Sequence, residues 1–311
     1  MPGPAKPGRM NSPLDEFELI RRHFSFATAQ EDVPLGVGDD AALLRLPAGE
    51  WLVACTDTLV EGRHFPVASR AYDIAWKSLA VNLSDLAAMA ATPRWFLLAL
   101  TLPEADPDWL SDFSAGLRAL AAQSAVQLVG GDTTRGPLSI TITALGSLPQ
   151  GQALTRRGAQ VGDDIYVSGY PGEAALALRD LQAGGAGAGL RARLDRPVPR
   201  IGLGLALRGR AHAAIDISDG LAQDLGHILH ASGVGACLDV QALPWRQPAA
   251  PDLQAILAGG DDYELCFTLP AGQAPPDHEV HRIGRIEAEP GLRLAAGGQP
   301  VSLDLRGYQH F

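Results

Sequence analysis

Six aspartates, Asp40, Asp57, Asp85, Asp132, Asp216 and Asp219, close apolar runs or stand alone within apolar stretches, and Thr56 and Ser218 lie beside two of them. Carboxylates and hydroxyls are hard oxygen donors. Such a set suits Mg2+, which prefers oxygen, keeps several waters and sits between protein carboxylates and a bound phosphate. If these aspartates converge they need a cation, because two bare carboxylates about 4 Å apart repel by roughly 4 kcal/mol at an effective dielectric near 20. Without one, the cluster would protonate or splay apart. The richest stretch is Leu128-Val-Gly-Gly-Asp-Thr-Thr-Arg-Gly136. Its glycines let the backbone turn and bring N–H groups up to an anion, with Asp132 able to hold a cation against that anion. Gly-Gly-Asp is also the composition of a plain β-turn, and aspartates cap turns on any surface. What favours a site is that acid follows apolar run repeatedly along the chain.

Composition narrows what the anion's partner can be. The chain has 311 residues, 46% of them hydrophobic, and a net charge of −10, which is enough for about two soluble globular domains with real cores. No Lys/Arg-rich run exists, so neither nucleic acid nor an anionic membrane is expected as a partner. Lys6 and Lys77 are the only lysines, and neither follows a Gly-x-x-x-x-Gly pattern. A phosphate-binding P-loop is thereby excluded, and phosphate charge would fall to metal ions and arginines. Cys55, Cys237 and Cys266 lie far apart in apolar runs, with no Cys-x-x-Cys pair, and read as core thiols of a protein in the reducing cytoplasm. No run approaches the roughly 18 apolar residues of a membrane span. Residues 1–12 read as a disordered tail, with Met10 as an alternative start.

The elements that must position these residues follow from periodicity. Leu14–Phe24 reads as an amphipathic helix, Ala41–Leu44 as a short strand after the Gly36-Val-Gly-Asp-Asp40 punctuation, and Trp51–Cys55 as a strand running straight into Thr56-Asp57. Ala71–Ala91 reads as a helix with Tyr72, Ala75, Leu79, Leu83, Leu86 and Ala90 on one apolar stripe and Asp85 directed away from it. A lone carboxylate in so apolar a helix is costly unless a cation pairs with it. Trp95–Leu102, Val126–Val129 and Leu138–Leu145 read as strands, with Asp106-Pro107 capping a helix that turns Leu110, Phe113, Leu117 and Leu120 inward. Turn residues gather at Pro149-Gln-Gly151, where a boundary is expected. Beyond it, Val161–Gly169 reads as a turn and strand, Glu173–Leu181 as a helix, and Ala213–Asp216 as a strand feeding the helix Leu221–Ala231. Ser218 and Asp219 then sit at that helix's positive end, a place suited to phosphate.

Taken in order, Gly36-Val-Gly-Asp-Asp40, Thr56-Asp-Thr-Leu-Val-Glu-Gly-Arg-His-Phe65, Lys77-Ser-Leu-Ala-Val-Asn-Leu-Ser-Asp-Leu-Ala-Ala-Met89, Gly130-Gly-Asp-Thr-Thr-Arg135, Asp216-Ile-Ser-Asp-Gly220 and Gly259-Gly-Asp-Asp-Tyr-Glu-Leu265 closely resemble the thiamine-monophosphate kinase family of the aminoimidazole ribonucleotide synthetase-like superfamily. The resemblance runs from about residue 14 to the end. It implies an α/β (α+β) fold of two domains, residues 13–149 and 150–311, with mixed sheets flanked by helices and N-terminal sheets pairing in a homodimer. It implies ATP-dependent phosphorylation of thiamine monophosphate to thiamine diphosphate. By position it implies Asp40, Thr56, Asp57, Asp85, Asp132, Asp216 and Asp219 as Mg2+ ligands, with several ions per site. Gly131, Asp132, Arg156 and Ser218 would contact ATP, and His64, Asp261 and Phe311 the thiamine monophosphate.

Read without the family, His64 is equally an ordinary strand-end histidine, and Phe311 a frayed terminus. Two positions depart from the family pattern. Asp261 stands where a glutamate is usual, one methylene shorter, and Cys55 stands where a serine is expected. Within the superfamily, a selenophosphate synthetase would need a reactive Cys near the N-terminus and a hydrogenase-maturation dehydratase a C-terminal Cys; the chain has neither. A non-catalytic nucleotide or Mg2+ sensor is the alternative of another class. No Ser-His or Cys-His pair is visible, and a phosphate acceptor, already ionised, needs no strong general base.

Overall fold

The computed structural model describes residues 16–25, 31–187 and 189–303. The expected tail, residues 1–12, and the C-terminal Phe311 lie outside them. Helix α1 (Glu16–His23) precedes a first sheet built from β1 (Glu50–Val60), β2 (Thr92–Leu102), β3 (Gln127–Arg135) and β4 (Ser139–Pro149), in the order β1-β4-β2-β3. Helices α2 (Ala71–Ala88) and α3 (Pro107–Gln123) connect these strands. The pair β2/β3 is parallel and the other pairs antiparallel, so β3 must return by a crossover, which α3 supplies. Asp106 caps α3 by accepting the N–H of Asp108 at 2.9 Å, Pro107 opens it, and Leu110, Phe113, Leu117 and Leu120 are fully buried, as their spacing predicts.

The second half holds β5 (Asp164–Ser168), α4 (Glu173–Gln182), α5 (Arg191–Asp195), α6 (Ile201–Leu207), β6 (Ala213–Asp216), α7 (Leu221–Ser232), β7 (Gly235–Asp239), α8 (Leu253–Ala258), β8 (Leu265–Leu269), β9 (Val280–Glu287), β10 (Gly291–Ala296) and β11 (Gln299–Val301). Its seven strands form one mixed sheet in the order β11-β10-β7-β9-β5-β8-β6, parallel only at β10/β7. The chain is therefore mixed α/β with two mixed sheets. Cys55, Cys237 and Cys266 lie in β1, β7 and β8 and are free thiols.

Three expectations need correction. Ala41–Leu44 is no strand; Leu43 makes an isolated bridge to Leu35, because the glycines and acids before it leave no extended partner. The strands that carry acid are longer than their apolar runs. Asp57 lies in the middle of β1 and Asp132 inside β3, since Thr56–Val60 and Gly130–Arg135 keep pairing with β4 and β2. Gly131 accordingly serves a close strand contact rather than a turn: a Cβ there would lie 1.8 Å from the carbonyl oxygen of Leu98. Helix α2, finally, ends at Ala88 and has more than one apolar stripe. Fourteen of its 18 residues are buried. One side packs on α3, β1 and β4, and the other on α6 and β6 of the second half.

Small side chains make that second contact possible. A Cβ on Gly204 of α6 would lie 2.1 Å from the carbonyl oxygen of Ala87, whereas Gly226 in α7 has nothing within 4 Å of its Cβ position. Gly204→Ala should lower the urea unfolding free energy by about 1–3 kcal/mol, the range for overpacking, and Gly226→Ala should raise it by about 0.5–1 kcal/mol through helix entropy. Equal effects of the two would mean that the α2/α6 contact is not tight.

Candidate active site

β1, α2 and the β6–α7 turn converge on a cavity of about 680 Å³. Alternation along β1 directs Val53, Cys55, Asp57 and Leu59 toward the helices, so Asp57 faces α2. Asp85 comes from α2, and Asp216, the last residue of β6, arrives from the second half with 6% exposure. Ser84 Oγ donates to Asp216 Oδ2 at 2.7 Å. Burial pushes the Asp85 carboxyl up to about 7, with the charges of Asp216 and Asp57 adding to the effect. Burial likewise raises Asp216 to about 6 despite the Ser84 hydrogen bond, and it raises Asp57. Arg156 lowers both Asp85 and Asp216, so its positive charge is felt at the cluster. The Cys55 thiol packs against α2, 3.3 Å from the carbonyl oxygen of Asn82, and burial beside Asp85 raises its pKa. Cys55 is thus a neutral thiol beneath the acids.

Asp219 and Ser218 line the same cavity. The N–H groups of Ser218, Asp219 and Gly220, which the sequence offers to a phosphate, all donate to Asp224 Oδ2 at 3.0–3.1 Å. An acid in the first turn of α7 therefore reaches back and occupies them, as capping acids do. Asp224 was not singled out from the sequence, although its place one turn into α7 is a capping signal. Burial pushes it up to about 7. Thr56 also borders the cavity, but its hydroxyl belongs to the exposed face of the sheet, 3.1 Å from the carbonyl oxygen of Ile142 and 3.0 Å from the hydroxyl of Thr143.

His64 and Asp261 line the same cavity. His64 Nδ1 accepts the N–H of Val60 at 3.0 Å, which leaves the proton of the neutral ring on Nε2. The Asp261 carboxylate meets Lys77 Nζ at 3.0 Å and the Tyr263 hydroxyl at 3.2 Å. Asp261 and Tyr263 have φ of +67° and +52°, uncommon for non-glycine residues and a strain that the surroundings must hold in place. Their N–H groups donate to Ser218 and Ile217 carbonyl oxygens, both at 2.8 Å. Between them, Asp262 turns back to accept the Gly172 N–H at 2.7 Å. Just beyond, buried Glu264 takes Arg200 Nε at 2.6 Å and Arg193 at 2.7 Å. The lysine, Asp262 and this arginine network escaped sequence reasoning because their partners are remote along the chain.

Asp40, Gly131 and Asp132 line a different cavity of about 330 Å³, floored by Phe24, Leu98 and Leu128. The six aspartates therefore divide four and two within one copy of the chain. Among the described residues no three carboxylate, imidazole or thiol groups stand close enough to enclose a metal ion by themselves. Mg2+ completed by water and phosphate oxygens needs only one or two protein carboxylates, so a buried, mutually repelling set of oxygen donors fits it.

Fold and site together define a class, since the AIR synthase related protein N-terminal domain family matches residues 38–148, the span from Gly38 through the first sheet. The thiamine-monophosphate kinase of Salmonella typhimurium is 48% identical, covering 95% of this chain and 98% of its own. The crystal structure of thiamine-monophosphate kinase from Stenotrophomonas maltophilia K279a superposes with a TM-score of 0.84 at 49% identity, over 93% of this chain and 98% of that one. AaThiL complexed with AMPPCP and TMP superposes with a TM-score of 0.78 at 29% identity, over 88% and 92%. The chain belongs to the thiamine-monophosphate kinase family, a family of phosphotransferases.

Breaking the Glu264 network should expose its part in holding the Asp261 loop. The arginines beside Glu264 hold its carboxyl below the usual range despite burial, so its stabilisation is complete above the unfolded value near 4.5 and is lost as pH falls through the folded one. Glu264→Gln should cost about 3 kcal/mol at pH 7, the scale for breaking a buried ion pair. Urea titrations of parent and variant should converge as the pH is lowered below the carboxylate range. A gap that stays constant with pH would assign the loss to packing.

Proposed function

We propose that the chain transfers the γ-phosphoryl group of ATP to thiamine monophosphate, giving thiamine diphosphate, in a Mg2+-dependent in-line displacement without a phosphoenzyme. The observation that carries this reading is the shared cavity, lined by Asp57, Asp85, Asp216 and Asp219 together with His64 and Asp261, in a chain of this family. Asp57, Asp85, Asp216 and Asp219 would hold Mg2+, as would Asp40, Asp132 and Thr56, the last through its carbonyl because its hydroxyl is engaged elsewhere. When bound, the metal neutralises phosphate charge. Gly131, Asp132, Arg156 and Ser218 are assigned to ATP, with Arg156 supplying fixed positive charge. His64 and Asp261 are assigned to thiamine monophosphate, as is Phe311. The acceptor's own phosphate oxygen is the nucleophile, so these side chains orient two anionic substrates and exclude water rather than move a proton.

A homodimer belongs to the same reading. The open face of the first sheet carries Leu52, Ala54, Thr56, Thr58 and Val60 of β1 and Leu97 of β2, all exposed, with no layer over them among the described residues. A mixed sheet with an uncovered apolar strip calls for a second layer, and the two aspartates that line the other cavity would be completed in the assembly. We take the two sheets as the two domains, meeting near residue 149. Three free cysteines accord with a cytoplasmic setting, and among the described residues no helix is long and apolar enough to cross a membrane.

The test is a coupled assay with ATP, Mg2+ and either thiamine monophosphate or thiamine. Turnover should require Mg2+ and the monophosphate; equal rates with thiamine would sink the substrate assignment, and binding of ATP without turnover would favour the sensor. Asp132→Asn should keep the fold and lower kcat by about 10²–10³, the loss for removing one preorganised electrostatic group. Activity within a few-fold of the parent at saturating Mg2+ would make Asp132 a strand residue without a role in catalysis.

A further inference from the structure

Two loops from different halves of the chain carry the residues assigned to the acceptor, the turn after β1 with His64 and the segment before β8 with Asp261, and both line the cavity. One side chain touches both. Lys77, in the second turn of α2, is 3% exposed; its ammonium donates to the His64 carbonyl oxygen at 3.1 Å and meets Asp261 Oδ1 at 3.0 Å. Core packing does not call for it, because an apolar side chain of similar length would fill the same space without desolvating a charge. An ammonium, a compact and strongly hydrated point charge, is the costlier of the two basic groups to bury. What it supplies is donors directed at two partners at once.

The carboxylate it holds is arranged for a ligand. Lys77 and the Tyr263 hydroxyl both approach Oδ1 of Asp261, which leaves Oδ2 without a protein partner among the described residues on a side chain that is 31% exposed at the cavity. The backbone of this segment is anchored separately, through the Asp261 and Tyr263 N–H groups and through Asp262. Removing the lysine would therefore leave the carboxylate on the Tyr263 hydroxyl alone and untie the His64 carbonyl from α2, without unravelling either loop.

We propose that Lys77 is a positioning residue for the acceptor substrate: it ties the His64 carbonyl and the Asp261 carboxylate to one point on α2, and so sets the spacing of the two walls and aims Oδ2 at the ligand. The inference rests on the assignment of His64 and Asp261 to thiamine monophosphate. With Asp261 in place of a longer glutamate, the reach of the carboxylate depends on how it is held, which makes the lysine a determinant of acceptor affinity.

The experiment compares parent, Lys77→Met, Asp261→Asn and the double variant by calorimetric binding of thiamine monophosphate and of AMPPCP, alongside steady-state kinetics and urea unfolding. Lys77→Met should weaken thiamine monophosphate by at least about tenfold, a scale set by sub-ångström misplacement, and leave AMPPCP within about twofold, since uniform losses and one-sided losses report different roles. The loss in the double variant should fall short of the product of the two single losses, because the lysine acts in part through that carboxylate. Losses that multiply, or that fall equally on both ligands with a lowered unfolding midpoint, would overturn the proposal. If Lys77→Met does not fold, Lys77→Gln, which keeps a donor for the His64 carbonyl, is read by the same criteria. A parent that neither binds nor phosphorylates thiamine monophosphate would sink the functional reading and this inference with it. Turnover in the parent with multiplying losses sinks the inference alone.

Discussion

Helix α2 is buried from both sides, and the arrangement of the cavity follows from that burial. Its run of alanines, serines and leucines lets the first sheet pack on one side and α6 and β6 on the other. A helix so enclosed can carry polar side chains only where they find partners at once. Ser84 finds Asp216 from the second half, Lys77 finds His64 and Asp261, and Asp85 faces Asp57 and Asp216. The two halves are thus held in register by the same helix that furnishes the cavity with charge.

The electrostatics are deliberately uneven. Glu264 is buried with two arginines and a serine, so its charge is compensated and its carboxyl is held below the usual range. Asp57, Asp85 and Asp216 are desolvated together, and burial pushes all three up. Burial of like charges costs free energy in the unliganded protein, a cost that cations and an anionic ligand would offset on binding. In a chain of net charge −10, Arg193 and Arg200 compensate Glu264, whereas the cavity acids are left for a ligand to neutralise.

Much of this was legible along the chain. Helix α3 between two strands, its cap at Asp106 and its buried face follow from spacing alone, and so does the delivery of Asp216 by a strand to the start of α7. The motif resemblance selected Asp57, Asp85, Asp216, Asp219, His64 and Asp261, which the structure brings to one cavity. Strand length was misread where apolar residues stop, because Thr56–Val60 and Gly130–Arg135 are held by ladder hydrogen bonds to β4 and β2 rather than by burial. The open amides at the start of α7 were misread too, since Asp224 already uses them.

By itself the sequence determined which residues could do chemistry, because residue type and local spacing fix donor atoms, charge and the 2.0 or 3.6 periodicity that places a side chain on a face. Only the tertiary structure decided which of those faces meet. Asp40 and Asp132 read like the other acids, yet they line a separate cavity, and Thr56 points its hydroxyl to the far side of the sheet from its neighbour Asp57. The contacts of Lys77 and Glu264 carry no local signal, since their partners lie 13 to 184 positions away and are brought together by how the elements dock. Contact between remote side chains is set by how whole elements dock, and no window of the chain contains that information.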